Sequence, residues 1–246
     1  MADLGLGQTV PYFELPDQQD YPWGLSGQLE VGPVVLVFYR GDWCPYCNGQ
    51  LASYAREYEE FDKRGAQVAG ISVDPPGNNA RMVGKLLLPF PLLSDPRGEL
   101  IKRYGLWDEE EGVAVPSILV VDRSGEIRYR YSGSDFADRP SDEAVFAALD
   151  GLDGSIRRLT GGPELRVTAK EARESVRPDR RPMTLEELFI YYRGVFFATV
   201  ALRKRLGAWG RPSERAALKE VSDYQTMVRR YRKALEETVA LKRGKA

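Results

Sequence analysis

Histidine is absent from this chain of 246 residues and cysteine occurs twice. No apolar run approaches the length of about 18 residues that a membrane-spanning helix needs. Without imidazole there is no Ser-His-Asp triad, no histidine base and no histidine-ligated metal, so proton chemistry falls to carboxylates, tyrosines or the two thiols. Two cysteines alone also fall short of a tetrahedral zinc site, and neither a metal nor a cofactor is expected. No basic segment followed by an apolar one opens the sequence, and the compartment expected is the cytoplasm, where a cysteine pair stays reduced and reactive.

Both cysteines sit in one stretch, Phe38-Tyr39-Arg40-Gly41-Asp42-Trp43-Cys44-Pro45-Tyr46-Cys47. A β-branched apolar run, Val34 to Val37, gives way here to a helical pattern with Leu51, Tyr54, Ala55, Tyr58 and Phe61 on one face, read as a helix over residues 45–63. Pro45 suits the first helical turn, which puts Cys44 at or near the N-cap, facing unpaired amides and the positive end of the helix dipole. Making a thiolate dominant at pH 7 means lowering a pKa of about 8.5 by about 1.5 units, or about 2 kcal/mol. A helix terminus supplies roughly 0.3–1 kcal/mol, so a second positive group is expected, with Arg40 nearby and Arg128 able to approach through the fold. Cys47, one turn on, is placed to attack an oxidised Cys44 and close a disulfide within the motif. Two other readings stay open: half of a zinc site completed by carboxylates or a second subunit, and two small buried apolar residues with no chemistry.

Charge divides the chain. Residues 1–154 carry 13 Lys and Arg against 25 Asp and Glu, a net of −12, and residues 155–246 carry 22 against 11, a net of +11. Such asymmetry marks a boundary, and we read a redox domain over 1–154, a linker over 155–183 and a basic helical hairpin over 184–246.

In the first part, Val10 to Pro16 reads as a short edge strand, Gln67 to Val73 as a buried strand and Asn79 to Leu88 as a helix. Pro91 to Asp95 reads as a short strand, and Asp108 to Glu111 as a solvated acidic connector. Ser117 to Asp122 and Glu126 to Tyr131 form two strands around the turn Arg123-Ser124-Gly125, and Ser141 caps a closing helix. Alternating strands and helices ending in a hairpin and helix predict an α/β sandwich with a mixed central sheet, its reactive groups beyond the carboxyl ends of the strands.

These residues carry a resemblance. Trp43-Cys44-Pro45-Tyr46-Cys47 resembles the CxxC of thioredoxin-fold oxidoreductases. Gly7 to Phe13, Val37 to Arg40, Ser72 to Pro75, Leu93 to Pro96, Tyr104-Gly105 and Val115 to Ser117 resemble the alkyl hydroperoxide reductase/thiol-specific antioxidant (AhpC/TSA) family, within it the peroxiredoxin-like proteins with a CxxC. The resemblance spans about residues 5 to 150 and implies a thioredoxin-like fold. It places the peroxidatic cysteine at Cys44 and a peroxide-holding arginine at Arg128, and it likens Val115-Pro116 to the cis-proline element that shapes a disulfide-substrate groove. The family's PxxxTxxC signature is altered: Val37 stands at the proline position and Gly41 at the threonine position, where no hydroxyl is available.

The resemblance leaves out the tail. Thr160 to Pro163 opens the linker, and Thr184 with Glu187 makes a capping box. Leu185, Leu188, Tyr192, Val195, Thr199, Leu202 and Leu206 form one apolar seam. Gly207 to Pro212 turns the chain, and a second helix starting at Ser213 carries Leu218, Val221, Tyr224, Val228, Tyr231 and Leu235. So much apolar surface predicts docking on the acidic domain or a homodimer, ahead of nucleic acid or an anionic membrane surface.

The function expected is a cytoplasmic thiol oxidoreductase. Cys44 is the nucleophile, Cys47 resolves, Arg128 supports the thiolate, and Arg40, Trp43 and Pro116 line the substrate site. Its substrate is a hydroperoxide or a protein disulfide, and its reductant a thioredoxin-like or other thiol. The alternative is a redox sensor or scaffold acting through the basic hairpin.

Overall fold

The structure is a computed structural model and describes residues 4–152, 162–209 and 214–244. Parts of the sequence reading lie outside these ranges: the boundary near residue 154, Thr160 and Gly161, Gly210 to Pro212 of the expected turn, and Ser213; Gly207 to Trp209, expected to open that turn, instead continue the preceding helix.

The chain enters through β1 (Phe13–Pro16), β2 (Pro22–Gly24) and α1 (Leu25–Val31). The thiol unit follows as β3 (Val34–Phe38), α2 (Pro45–Arg56) and α3 (Tyr58–Asp62), then β4 (Gln67–Ser72), α4 (Pro76–Leu86), β5 (Leu92–Ser94) and α5 (Glu99–Arg103). A small ribbon, β6 (Trp107–Asp108) and β7 (Val113–Ala114), leads to the hairpin β8 (Ser117–Val121) and β9 (Ile127–Ser132), closed by α6 (Asp142–Asp150). After it come β10 (Leu165–Arg166), α7 (Ala169–Ala172) and the two long helices α8 (Leu185–Trp209) and α9 (Glu214–Gly244).

The central sheet has the order β5-β4-β3-β8-β9, parallel from β5 to β3 and antiparallel from β3 through β8 to β9. This is the mixed α/β sandwich that the alternation of elements predicts. Both faces of the sheet are covered, so β3 and β8 are buried throughout and side chains of opposite parity enter two cores. Val35, Val37, Val68, Ile118 and Val120 face α2, while Val34, Leu36, Phe38, Ala69, Ile71, Leu119 and Val121 face the β1 side.

Several details differ from the sequence reading. The expected helix over 45–63 breaks at Glu57, whose φ of −94° and ψ of 16° leave the helical range. β1 is the middle strand of β10-β1-β2 rather than an edge: its prolines fall at or before its ends, and β10 pairs only with Phe13 and Glu14. Thus part of the segment read as linker folds onto the first strand, followed by the Thr168–Glu171 capping box of α7.

The helical hairpin forms and packs on its own chain. Thr184 and Glu187 make the predicted box, Glu187 N–H donating to Thr184 Oγ1 at 3.2 Å and Thr184 N–H to Glu187 Oε2 at 2.8 Å. Leu188, Tyr192, Val228, Tyr231 and Leu235 are buried in the core that contains Cys44 and Cys47. Leu202, expected in the seam, is exposed, together with Ile190 and Phe197 on α8. No helix among the described residues is long and apolar enough to cross a membrane.

Candidate active site

β3 ends at Phe38, the loop Tyr39–Trp43 continues from its carboxyl end, and α2 begins at Pro45 with Cys44 as its N-cap. Cys44 Sγ accepts the N–H of Cys47 at 3.4 Å, as an N-cap side chain should. Gly41 has a φ of +151°, and a Cβ there would stand 2.6 Å from Trp43 Nε1. The glycine at the family's threonine position is therefore required by the Trp43 ring and by the backbone. That ring is clamped between guanidinium groups, Arg40 at 4.8 Å and Arg180 at 4.2 Å from its centre, and both arginines pair with Glu111. The acidic loop is thus a structural partner of the thiol loop and not simply a solvated connector.

The charge on the thiol pair is distributed against expectation. Cys47 Sγ accepts the Arg40 N–H at 3.4 Å and Arg139 Nη2 at 3.5 Å. Burial raises the Cys47 thiol, but the hydrogen bond from Cys44, the Arg139 charge and the Arg40 amide and charge outweigh it and bring it down to about 6. Burial pushes the Cys44 thiol up, and its hydrogen bond to Cys47 and the Cys47 charge push it further, against Arg139 and one amide. One helix terminus supplies too little to ionise a buried sulfur, whereas Cys47 has a full positive charge in contact. Arg139 and the Arg40 amide thus favour a thiolate at Cys47, and burial favours the thiol at Cys44.

Arg128 is the main correction among the candidate residues. Its Nε pairs with Asp122 Oδ2 at 2.5 Å and its Nη2 with Glu126 Oε2 at 3.0 Å, at the turn end of the β8–β9 hairpin. On β9, Ile127 points into the core and Arg128 outward, the expected alternation of a strand. The arginine at the thiols is Arg139, from the segment between β9 and α6. Its Nε donates to Gln50 Oε1 at 2.9 Å and its Nη1 to Asp138 O at 2.7 Å. The Val115–Pro116 peptide is trans, so the cis-proline element is not formed, and Pro116 O accepts the Gly133 N–H at 2.8 Å.

Two further groups were not recognised in the sequence as neighbours of the thiols. Arg177 closes on a buried carboxylate pair, meeting Asp42 Oδ1 at 2.9 Å and Asp74 Oδ1 at 3.2 Å, while Asp42 N–H donates to Asp74 Oδ2 at 2.8 Å. Burial and the Asp42 charge push Asp74 up to about 7, against Arg177. The second group is a tyrosine cover over α2. Tyr192 Oη donates to Pro45 O at 2.8 Å, Tyr191 Oη to Tyr46 Oη at 3.2 Å, and Tyr224 hydrogen-bonds Tyr46. A Cβ at Gly49 would lie 2.5 Å from the Tyr231 ring and closer still to Tyr192 Oη. A glycine in mid-helix, which costs about 1 kcal/mol relative to alanine, was the one local sign of so close a neighbour.

Comparison with known proteins matches residues 6–130 to the AhpC/TSA family. The chain is 34% identical over 146 residues to a chloroplastic peroxiredoxin Q of Populus jackii, covering 58% of this chain and 68% of that one. It is 35% identical over 128 residues to an alkyl hydroperoxide reductase E of Mycobacterium bovis, covering 51% and 84%. Among solved structures, the peroxidoxin BcpB of Mycobacterium tuberculosis is 31% identical with a TM-score of 0.57, covering 61% of this chain and 99% of that one. The family match stops before Arg139, Arg177 and the helical hairpin.

Proposed function

Because this chain belongs to the AhpC/TSA family, we propose that it is a thiol peroxidase working through Cys44 and Cys47. Cys44 attacks the distal oxygen of a hydroperoxide, the O–O bond breaks, and the Cys44 proton ends on the leaving alkoxide, giving an alcohol and a sulfenic acid. The Cys47 thiolate then attacks the Cys44 sulfur and expels hydroxide, closing a disulfide within the motif. The observation that carries this reading is the geometry of the pair: Cys44 caps α2 while Cys47, one turn on, has Arg139 Nη2 3.5 Å from its Sγ, a contact that favours the thiolate there. The S–H···S⁻ bond lets charge pass to Cys44 by the movement of one proton, and the same thiolate serves the second step.

Burial of both sulfurs weighs against a protein disulfide as substrate, and two free thiols suit a reducing compartment such as the cytoplasm. Stopped-flow oxidation by hydrogen peroxide tests the proposal. We expect faster oxidation than free cysteine at the same pH, a Cys44 sulfenic acid trapped by dimedone in Cys47→Ser, and a disulfide in the native chain. A rate no faster than free cysteine would overturn it.

A further inference from the structure

α8 has two faces. Its inner one, with Leu188 and Tyr192, lies in the core that contains the thiol pair. Its outer one is apolar and yet open: Ile190 is 73% exposed and Phe197 59%, and Gly194 and Ala201 are exposed between and beyond them. These positions are spaced by four, three and four residues, so they form one straight seam with the periodicity of a coiled coil. Along it size alternates, large at Ile190 and Phe197 and small at Gly194 and Ala201. A Cβ at Gly194 would meet nothing within 4 Å, so this mid-helix glycine, unlike Gly49, makes room for no neighbour in its own chain. The two ends of the outer face differ in sign. Glu186 is exposed in the first turn, Lys204 and Arg205 are exposed near the last, and none of the three makes an ion pair among the described residues.

A second copy of the same helix is complementary to this face at every one of those points. A two-fold axis between Val195 and Phe196 turns α8 end for end, setting Ile190 against Ala201 of the second copy and Phe197 against its Gly194. Large meets small in each pair, and Glu186 comes level with Arg205 of the second copy, one residue from its Lys204. A parallel pair would instead put Phe197 on Phe197 and Glu186 beside Glu186. An anionic lipid surface would draw the cations but repel Glu186, and it has no use for the alternation of size. We propose that two copies of this chain associate through the outer faces of α8, antiparallel, with Ile190 and Phe197 packed into the places left by Ala201 and Gly194. The surface lies beyond residue 130, where the match to the AhpC/TSA family ends, and its use is independent of the peroxidase chemistry.

Sedimentation velocity on the full reduced chain, from about 1 to about 100 μM, tests this. The native chain should pass from monomer toward dimer across that range. Phe197→Glu should stay monomeric, with unchanged far-ultraviolet circular dichroism because the position is exposed. Glu186→Lys should weaken the dimer about fivefold, and adding Arg205→Glu to the same chain should restore it to within about twofold, since each reversed charge then faces its opposite on the other copy. A native chain that remains monomeric at about 100 μM overturns the proposal, and co-sedimentation of that monomer with anionic lipid vesicles would give the face to a membrane instead. A dimer that Phe197→Glu leaves intact overturns it too. So does a paired charge reversal that restores nothing, a result that stands even if Phe197→Glu does not fold.

Discussion

Replacing Arg139 by methionine removes a charge from contact with Cys47 Sγ, 3.5 Å away, while keeping a side chain of similar length. At an effective dielectric of about 20, two unit charges at that distance interact by about 5 kcal/mol, and in bulk water by about 1 kcal/mol. The guanidinium charge is spread over three nitrogens and turned partly toward Gln50 and Asp138. A loss between the limits, about 3 kcal/mol, corresponds to about 2 pKa units. The thiolate midpoint, about 6 in the native chain, should therefore rise to about 8 in Arg139→Met, read from ultraviolet thiolate absorbance against pH. Arg128→Met is the control, because Arg128 spends its charge on Asp122 and Glu126. Its midpoint should stay where the native one lies. A shift in Arg128→Met with none in Arg139→Met would refute this account of the thiol pair.

In Cys47→Ser the absorbance step near pH 6 should disappear. In Cys44→Ala it should persist at a higher pH, since Cys47 loses a hydrogen bond but keeps Arg139 and the Arg40 amide. Gly49→Leu should destabilise the fold by about 1–3 kcal/mol in urea titration, because its side chain must displace the rings of Tyr192 and Tyr231. An unchanged midpoint would mean that the hairpin does not sit on α2 in solution. Asp74 binds its proton more tightly when folded, at about 7, than in the unfolded chain, at about 3.9. Its contribution therefore favours the folded state below pH 4 and is lost as pH rises toward 7. Denaturation midpoints compared between native and Asp74→Asn proteins should show that this slope is absent from the variant.

What could be read from the sequence was what local pattern decides. The run Val34–Val37, the proline after Cys44 and the helical face beyond it specify β3, the N-cap and α2, because strand pairing, capping and periodicity act over a few residues. The hairpin was legible for the same reason, down to Tyr192, Val228 and Tyr231 as inward positions. Leu202 was not, because seam periodicity says nothing of where the packed partner ends. Arg128 and Arg139 show a sharper limit. Both lie near the end of the redox fold in sequence, but the alternation along β9 turns Arg128 outward, whereas Arg139 comes from an irregular segment whose path no spacing rule gives. The identity of the charged sulfur was likewise hidden, since it depends on which sulfur meets that arginine.

The opposed charges of the two halves of the chain are spent largely on each other. Arg230 on α9 meets Asp142 Oδ1 at 3.1 Å and Glu143 Oε2 at 2.8 Å, Arg180 meets Glu111 at 2.5 Å, and Arg177 reaches Asp42 and Asp74. These contacts are not equivalent. Arg180–Glu111 is largely exposed and is expected to contribute little, whereas Asp42, Asp74 and Asp142 are buried and would be left uncompensated if their arginines withdrew. Removing a partner from a buried pair costs roughly 3–5 kcal/mol, so Arg177 and Arg230 fasten the basic region at two places, beside the thiol loop and at the start of α6. Between those two fastenings lie α2 with its glycine, the tyrosine cover and the two sulfurs. A tail free to serve a distant anionic partner would leave Asp42, Asp74 and Asp142 buried without their cations, and it is this cost that makes the basic half part of the thiol site.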